Sequence, residues 1–234
     1  MIRVSTGISG LNEMIEGGIP AGHTIAAIGP PGAGKTTLCL QYVWDGLMKD
    51  ELCMYISLEE EEEKLLKTAL NYGWDFQKYI DRGTLSLIKL DALDINGTME
   101  RMLSELPKLI SNTGVRRIVI DPFILVEMAF DNDHKRRVNI YELVRTIGRT
   151  GVTTIITSEA LNGYHSHFGI IEYIVDGVFV LEVIHSKERG SLIYAIQVNK
   201  LRWSSHSKDM KPYAVTSNGI DVYLDSNVYW SEND

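Results

Sequence analysis

The run Gly29-Pro30-Pro31-Gly32-Ala33-Gly34-Lys35-Thr36 fits the pattern G-x-x-x-x-G-K-[ST], and it lies directly between an apolar β-rich run and a stretch of helical period. Nothing else in the chain narrows the fold as much. Such a loop needs a strand ending at its first glycine and a helix beginning at its lysine, because backbone N–H groups and the positive end of the helix must converge on one anion. Residues 24–28 are the predicted strand, and the predicted helix from Lys35 carries Leu38, Tyr42 and Val43 on its inner face. An ordinary Gly/Pro turn is the bland alternative.

In this pattern the glycines let the backbone approach phosphate, and Lys35 adds a full charge beside the β- and γ-phosphates. The Thr36 hydroxyl is placed to ligate Mg²⁺, and Thr37, one residue deeper, is positioned for the α-phosphate. The segment Arg117-Ile118-Val119-Ile120-Asp121 then sets a carboxylate just past a buried strand, where Asp121 can hold Mg²⁺ through its waters. Alone this second pattern is weak, because any strand can end in Asp.

Around the loop, short apolar runs alternate with helical periods, as expected of an α/β fold with a mainly parallel central sheet flanked by helices. Further strands are predicted at 52–58, 85–90, 118–120 and 154–157, which with 24–28 would make five parallel strands. The acidic block 59–63 opens a helix carrying Leu65, Leu66, Ala69 and Leu70, where first-turn carboxylates are stabilised by the helix macrodipole. Met99, Met102, Leu103, Leu106 and Ile110 mark another helix, which Pro107 is expected to kink or end early, and Ile140, Leu143, Val144 and Ile147 a further one. After Asp176 strand follows strand, at 178–183, 192–198, 213–215 and 220–223. Asn218-Gly219 favours a tight hairpin, so the C-terminal third is expected to extend the sheet antiparallel.

The 234 residues, 44% apolar, suit one domain over 1–234, with no linker to split them. A formal charge of −8 argues against a broadly basic surface that grips nucleic acid, leaving room for a local basic strip, above all one assembled by several subunits. Cys39 and Cys53 lie in apolar runs and make no disulfide scaffold, which suggests a reducing compartment. No signal peptide and no apolar stretch of ~20 residues is visible, so no membrane contact and a cytoplasmic location are expected.

The chain resembles the KaiC-like ATPases of the RecA superfamily over almost its whole length. The opening Ser5-Thr6-Gly7-Ile8-Ser9-Gly10-Leu11-Asn12, followed by Gly17-Gly18-Ile19-Pro20, looks like that family's start, with Asn12 where Asp is common. Glu59-Glu60 matches tandem glutamates that face the γ-phosphate; the resemblance implies that Glu59 polarises the attacking water, with Glu60 in support. Helix-start acids are the plain alternative for this pair and the preferred one for Glu61, Glu62 and Glu63. Lys200-Leu201-Arg202 followed by His206 resembles a segment whose Lys and Arg touch the γ-phosphate of the neighbouring subunit and whose His meets the nucleotide farther back. Without the resemblance, Lys200 and Arg202 would simply share one solvated face of a strand.

The resemblance thus implies a RecA-like core that binds Mg²⁺ and ATP, from Gly29, Pro30, Pro31, Gly32, Ala33, Gly34, Lys35, Thr36 and Thr37 with His206. It further implies slow hydrolysis and a homo-oligomer, a hexamer with nucleotide between subunits, acting as a switch toward an unidentified protein partner. Two alternatives stay open: a RadA-like paralogue assisting recombination or repair on DNA, disfavoured by the missing basic stripe, and an ATP-responsive scaffold with little turnover. His165-Ser166-His167, flanked by Gly163 and Gly169, reads as a mobile loop rather than a metal pair. His134-Lys135-Arg136-Arg137 reads as a solvated helix start. Glu172-Tyr173-Ile174-Val175-Asp176 stands where one branch of the family carries adjacent Ser and Thr, so self-phosphorylation of that kind is not expected.

Overall fold

The structure is a computed structural model and describes residues 1–90, 94–162, 165–186, 191–226 and 228. The N-terminal half runs β1 (Arg3–Val4), α1 (Ser9–Met14), β2 (Ile19–Pro20), β3 (Thr24–Gly29), α2 (Lys35–Leu47), β4 (Cys53–Ser57), α3 (Glu62–Asn71), α4 (Phe76–Asp81), β5 (Leu85–Lys89), α5 (Ile95–Ser104) and α6 (Leu106–Thr113). It continues through β6 (Arg117–Asp121), α7 (Ile124–Met128), α8 (Asp133–Gly148), β7 (Thr153–Asn162), β8 (His165–Ser166), α9 (Ile171–Ile174), β9 (Gly177–Ser186), β10 (Ser191–Leu201), β11 (Lys211–Thr216) and β12 (Gly219–Val222).

The main sheet has the order β12-β11-β10-β9-β3-β7-β6-β4-β5, with β8 added to β7. Its parallel part is one strand larger than predicted: β9 pairs parallel with β3, Ile25 facing Gly177 and Ile28 facing Val180. The short α9 carries the chain back to the starting edge of β3 before β9 begins, and strand following strand after Asp176 takes no account of it. Antiparallel extension therefore starts at β10, paired with β9, and continues through β11 and β12. The last hairpin pairs Thr216 with Gly219, the latter at φ 102°, so Ser217 and Asn218 form its loop.

Strand residues divide between two cores with a period of two, as pleating requires. Ile25, Ala27, Tyr55, Val119 and Ile155 face α1 to α4, while Ala26, Ile28, Met54, Ile56, Ile118 and Ile120 face α5 to α9. Pro107 falls in the first turn of α6, and the helical stretch breaks before it at Glu105, as its missing N–H demands.

Arg117 is fully buried at the start of β6 and ties several elements together. Its guanidinium donates to the carbonyls of Ser5 and Tyr42 (both 2.8 Å), pairs with Asp45 (2.9 Å) and Glu51, and covers the Tyr42 ring at 4.8 Å. The basic run 134–137 is not one solvated face. Arg136 is buried, donating to the carbonyls of Glu127 (2.8 Å) and Phe130 (2.7 Å), with its guanidinium 3.8 Å from the centre of the Phe168 ring. A helix of period 3.6 turns one residue in four toward the core even within a charged run. Among the described residues no helix is long and apolar enough to cross a membrane.

Candidate functional site

β3 ends at Gly29, where a Cβ would stand 2.5 Å from the Leu181 carbonyl oxygen, so only glycine lets the chain turn there. Gly34, at φ 82°, precedes α2 in the left-handed conformation that glycine adopts without strain. Lys35 then curls over the loop, its Nζ donating to the carbonyls of Gly29 (2.7 Å) and Pro30 (3.0 Å). Burial lowers its pKa, while the carboxylates of Glu159 and then Asp121 act the other way.

Asp121 is the centre of a second cluster. Its Oδ2 accepts from the Thr36 hydroxyl (2.8 Å) and the Tyr55 hydroxyl (2.6 Å), and its Oδ1 accepts from the Thr157 hydroxyl. Burial and the nearby Asp121 push the Tyr55 phenol well up, so it remains a donor. Adjacent hydroxyl and carboxylate oxygens are the hard donors that suit Mg²⁺, so Thr36 and Asp121 fit the ion the sequence implies. Thr37 lines the same side of the loop as Thr36, its hydroxyl 3.2 Å from the Tyr72 hydroxyl.

Above the loop opens a cleft of about 820 Å³ whose far wall is the projecting end of β10 together with β11. Tyr194 and Tyr213 stand there with ring centres 5.6 Å apart, and the Tyr213 hydroxyl donates to the Ala33 carbonyl, fixing the wall to the loop. Leu192 and Val215 offer exposed apolar surface beside them.

Glu59 and Glu60 leave β4 at the same sheet end as Asp121: Ser57 faces Asp121, and the Leu58 N–H donates to the Asp121 carbonyl at 3.0 Å. Their surroundings differ. Glu60 is half-buried and paired with Lys64, whereas Glu59 is exposed and engages Lys89 only through its carbonyl oxygen.

Lys200, Arg202 and His206 are not brought to this site within the chain. Lys200 faces Val178, which faces Ala26, so it lies two strands across from β3 and level with that strand's third residue, while the Arg202 N–H donates to the Asp176 carbonyl beside the strand's start. Its Nζ donates to the carbonyls of Glu172 (2.8 Å) and Val175 (2.6 Å), closing the end of α9. Arg202 reaches Asp176 (3.4 Å) and the Tyr173 carbonyl (3.3 Å), both long contacts. His206 has a pKa lowered by burial and then by Lys208, whose Nζ lies 3.1 Å from its Nε2, with a backbone contact at Ser204 acting the other way.

The 165–167 segment is less irregular than expected, since β8 pairs antiparallel with β7 and Ser166 is bonded to Glu172 by its N–H and its hydroxyl (2.8 Å). A single buried serine is enough to anchor a turn that its glycines alone would leave open. The flanking Gly163 lies outside the described residues.

Residues 4–227 match the family model described as "ATPase: KaiC". The chain belongs to the KaiC ATPase family. That membership makes it a P-loop ATPase at the level of the family, with the RecA-type fold the sequence implied. A solved KaiC-like protein of Pyrococcus horikoshii superposes with a TM-score of 0.84 at 31% identity, covering 95% of this chain and 99% of that one. A UPF0273 protein of Pyrococcus furiosus is 29% identical, with 95% of this chain and 94% of that protein covered. The circadian clock oscillator protein KaiC of Acaryochloris marina is 27% identical over 94% of this chain but only 44% of its own length. This KaiC-family chain thus spans less than half of the clock proteins it matches.

Several residues around the candidate site carried no prediction from the sequence. Glu159 lies opposite Gly29 in the β3–β7 register, and Thr157 bonds Asp121 from the same strand. The polar triplet Thr157-Ser158-Glu159 closing an apolar strand was the available signal, because ligands gather at the carboxyl ends of parallel strands. Tyr55, Tyr194 and Tyr213 carried none, since tyrosine in a strand is ordinarily packing.

Proposed function

We propose that this KaiC-family chain binds Mg-ATP in the cleft above Gly29–Thr37, hydrolyses it slowly, and uses the cycle to switch an oligomer in which each site is completed by a second copy. The observation that carries the reading is the split of the sequence motifs between the two ends of the sheet: the phosphate loop, Asp121 and Glu59 at one, Lys200 and Arg202 at the other. Groups so placed cannot serve one nucleotide from one chain, and they meet naturally when copies pack head to tail, the contact that closes into rings such as a hexamer.

The loop amides, Lys35 and Thr37 hold the phosphates, and Lys35 exchanges its two carbonyl acceptors for phosphate oxygens. Thr36 and Asp121 hold Mg²⁺, which when bound draws charge off the β- and γ-oxygens. Glu59, the less engaged of the two glutamates, orients water and accepts its proton, with Glu60 in support. Lys200 and Arg202 of a second copy stabilise the charge on the transferred phosphoryl, an effect worth ~10³ to 10⁵ in rate for such cations. His206 comes with them, toward the rest of the nucleotide. The weak self-contacts of Arg202 are consistent with a side chain that leaves them on assembly.

Titration calorimetry with Mg²⁺ and ATP tests the first step. Wild type is expected to bind and Lys35→Ala to bind roughly a hundredfold more weakly or not at all, since a buried charge-assisted contact is lost. Equal heats for folded wild type and variant would remove the phosphate loop from the account.

A further inference from the structure

Beside Arg202 lies a groove of about 680 Å³ between α8 and α9, lined by His134, Arg137, Val138, Tyr141, Tyr173 and Ile174. Its composition is unusual for solvated surface. Tyr173 is 73% exposed, Tyr141 53% and Val138 48%, so apolar faces stand open between the cationic groups. Arg137 is exposed and has no acidic partner among the described residues. Open aromatic and arginine side chains side by side are the make-up of an interface, since they bury large area at little entropic cost.

We propose that this groove receives the acidic segment Glu59–Glu63 of a second copy of the chain. Charge complementarity is the first argument: five consecutive carboxylates leave β4 and enter α3, with Glu61, Glu62 and Glu63 all exposed. Local lysines answer only part of that charge, Lys89 lying 3.3 Å from Glu61 and Lys67 3.3 Å from Glu63, in exposed pairs that contribute little. Position is the second argument, and it rests on the head-to-tail reading above. Arg202 lines the groove, so a copy that brings Arg202 to its neighbour's phosphates brings the groove to the same sheet end, where the acidic segment projects. The segment then does two things: Glu59 turns toward the nucleotide, and Glu61 to Glu63 register the subunits. This also gives the acids beyond Glu60 a use other than favouring a helix start.

Charge reversal from both sides tests the contact, using Arg137→Glu and Glu62→Arg/Glu63→Arg in the full chain with Mg²⁺ and a non-hydrolysable ATP analogue, read by light scattering after size exclusion. Wild type is expected to assemble, and each variant alone to assemble at least about tenfold more weakly, because like charges then face each other. An equal mixture of the two variants is expected to recover assembly, since every contact again joins opposite charges. Far-UV circular dichroism and urea unfolding without nucleotide should match wild type throughout, separating a lost contact from a lost fold. Wild-type assembly that is indifferent to Arg137→Glu, or a mixture that fails to recover, would overturn the groove while leaving the subunit-spanning site standing. A wild type that stays monomeric with nucleotide would sink both. If Arg137→Glu abolishes retention of a single-stranded oligonucleotide and leaves assembly unchanged, the groove belongs to nucleic acid and the proposal fails.

Discussion

Glu127 has no exposed surface, one of its carboxyl oxygens meets no partner among the described residues, and the other accepts from the Ser158 hydroxyl at 2.7 Å. Burial raises its pKa from 4.5 to about 7, with the Glu172 carboxylate acting in the same direction and the Ser158 bond and Arg136 opposing it. The folded state therefore holds a proton between about pH 4.5 and 7 that the unfolded chain has released, so stability falls as pH rises through that window and levels off above it. Glu127→Gln removes the titration. Urea unfolding at about pH 4 and about pH 8 is expected to show the variant gaining on wild type by about 3 kcal/mol between the two; a difference that does not change with pH would contradict this environment. At this scale the sequence was legible wherever a residue's place follows from a backbone pattern, as at Gly29, Lys35 and Asp121. It was silent on Tyr55, Thr157 and Glu127, whose surroundings come from side chains meeting between elements far apart in the chain.

Elements were legible where their periods are long and their punctuation strong. Gly34 and Lys35 fix where α2 begins, and Pro107 fixes where one helical stretch becomes two. Direction was less so: β9 opens on the unbroken buried run 178–181, and only the placement of α9 sets it parallel to β3. What ties β6 to the layer above was hidden too, because an arginine opening a strand reads as solvated until Asp45, Glu51, Ser5 and Tyr42 are seen around it. Arg117→Met leaves those carboxylates and carbonyls without their partner. Unfolding in urea is expected to show a loss of about 3 to 5 kcal/mol, as when one member of a buried ion pair is removed. Nucleotide affinity of the folded fraction should be unchanged; a loss below about 1 kcal/mol would mean that water replaces the guanidinium.

For the whole molecule, the sequence carried the motifs and the resemblance, but not the distance between them. Lys200-Leu201-Arg202 is conspicuous as text, yet its meaning depends on lying at the sheet end away from Gly29, a fact of strand register alone. From that register comes the central claim, that one copy's Arg202 acts on the nucleotide held by another copy's Lys35. Mixing two inactive chains tests it most directly. Lys35→Ala lacks the phosphate site and keeps the arginine, while Arg202→Ala keeps the phosphate site and lacks the arginine. Each alone is expected to have lost turnover, and an equal mixture to recover about a quarter of the wild-type rate, the share of contacts that random mixing leaves complete. Turnover in the mixture no greater than the average of the two separate chains would contradict a site shared between copies.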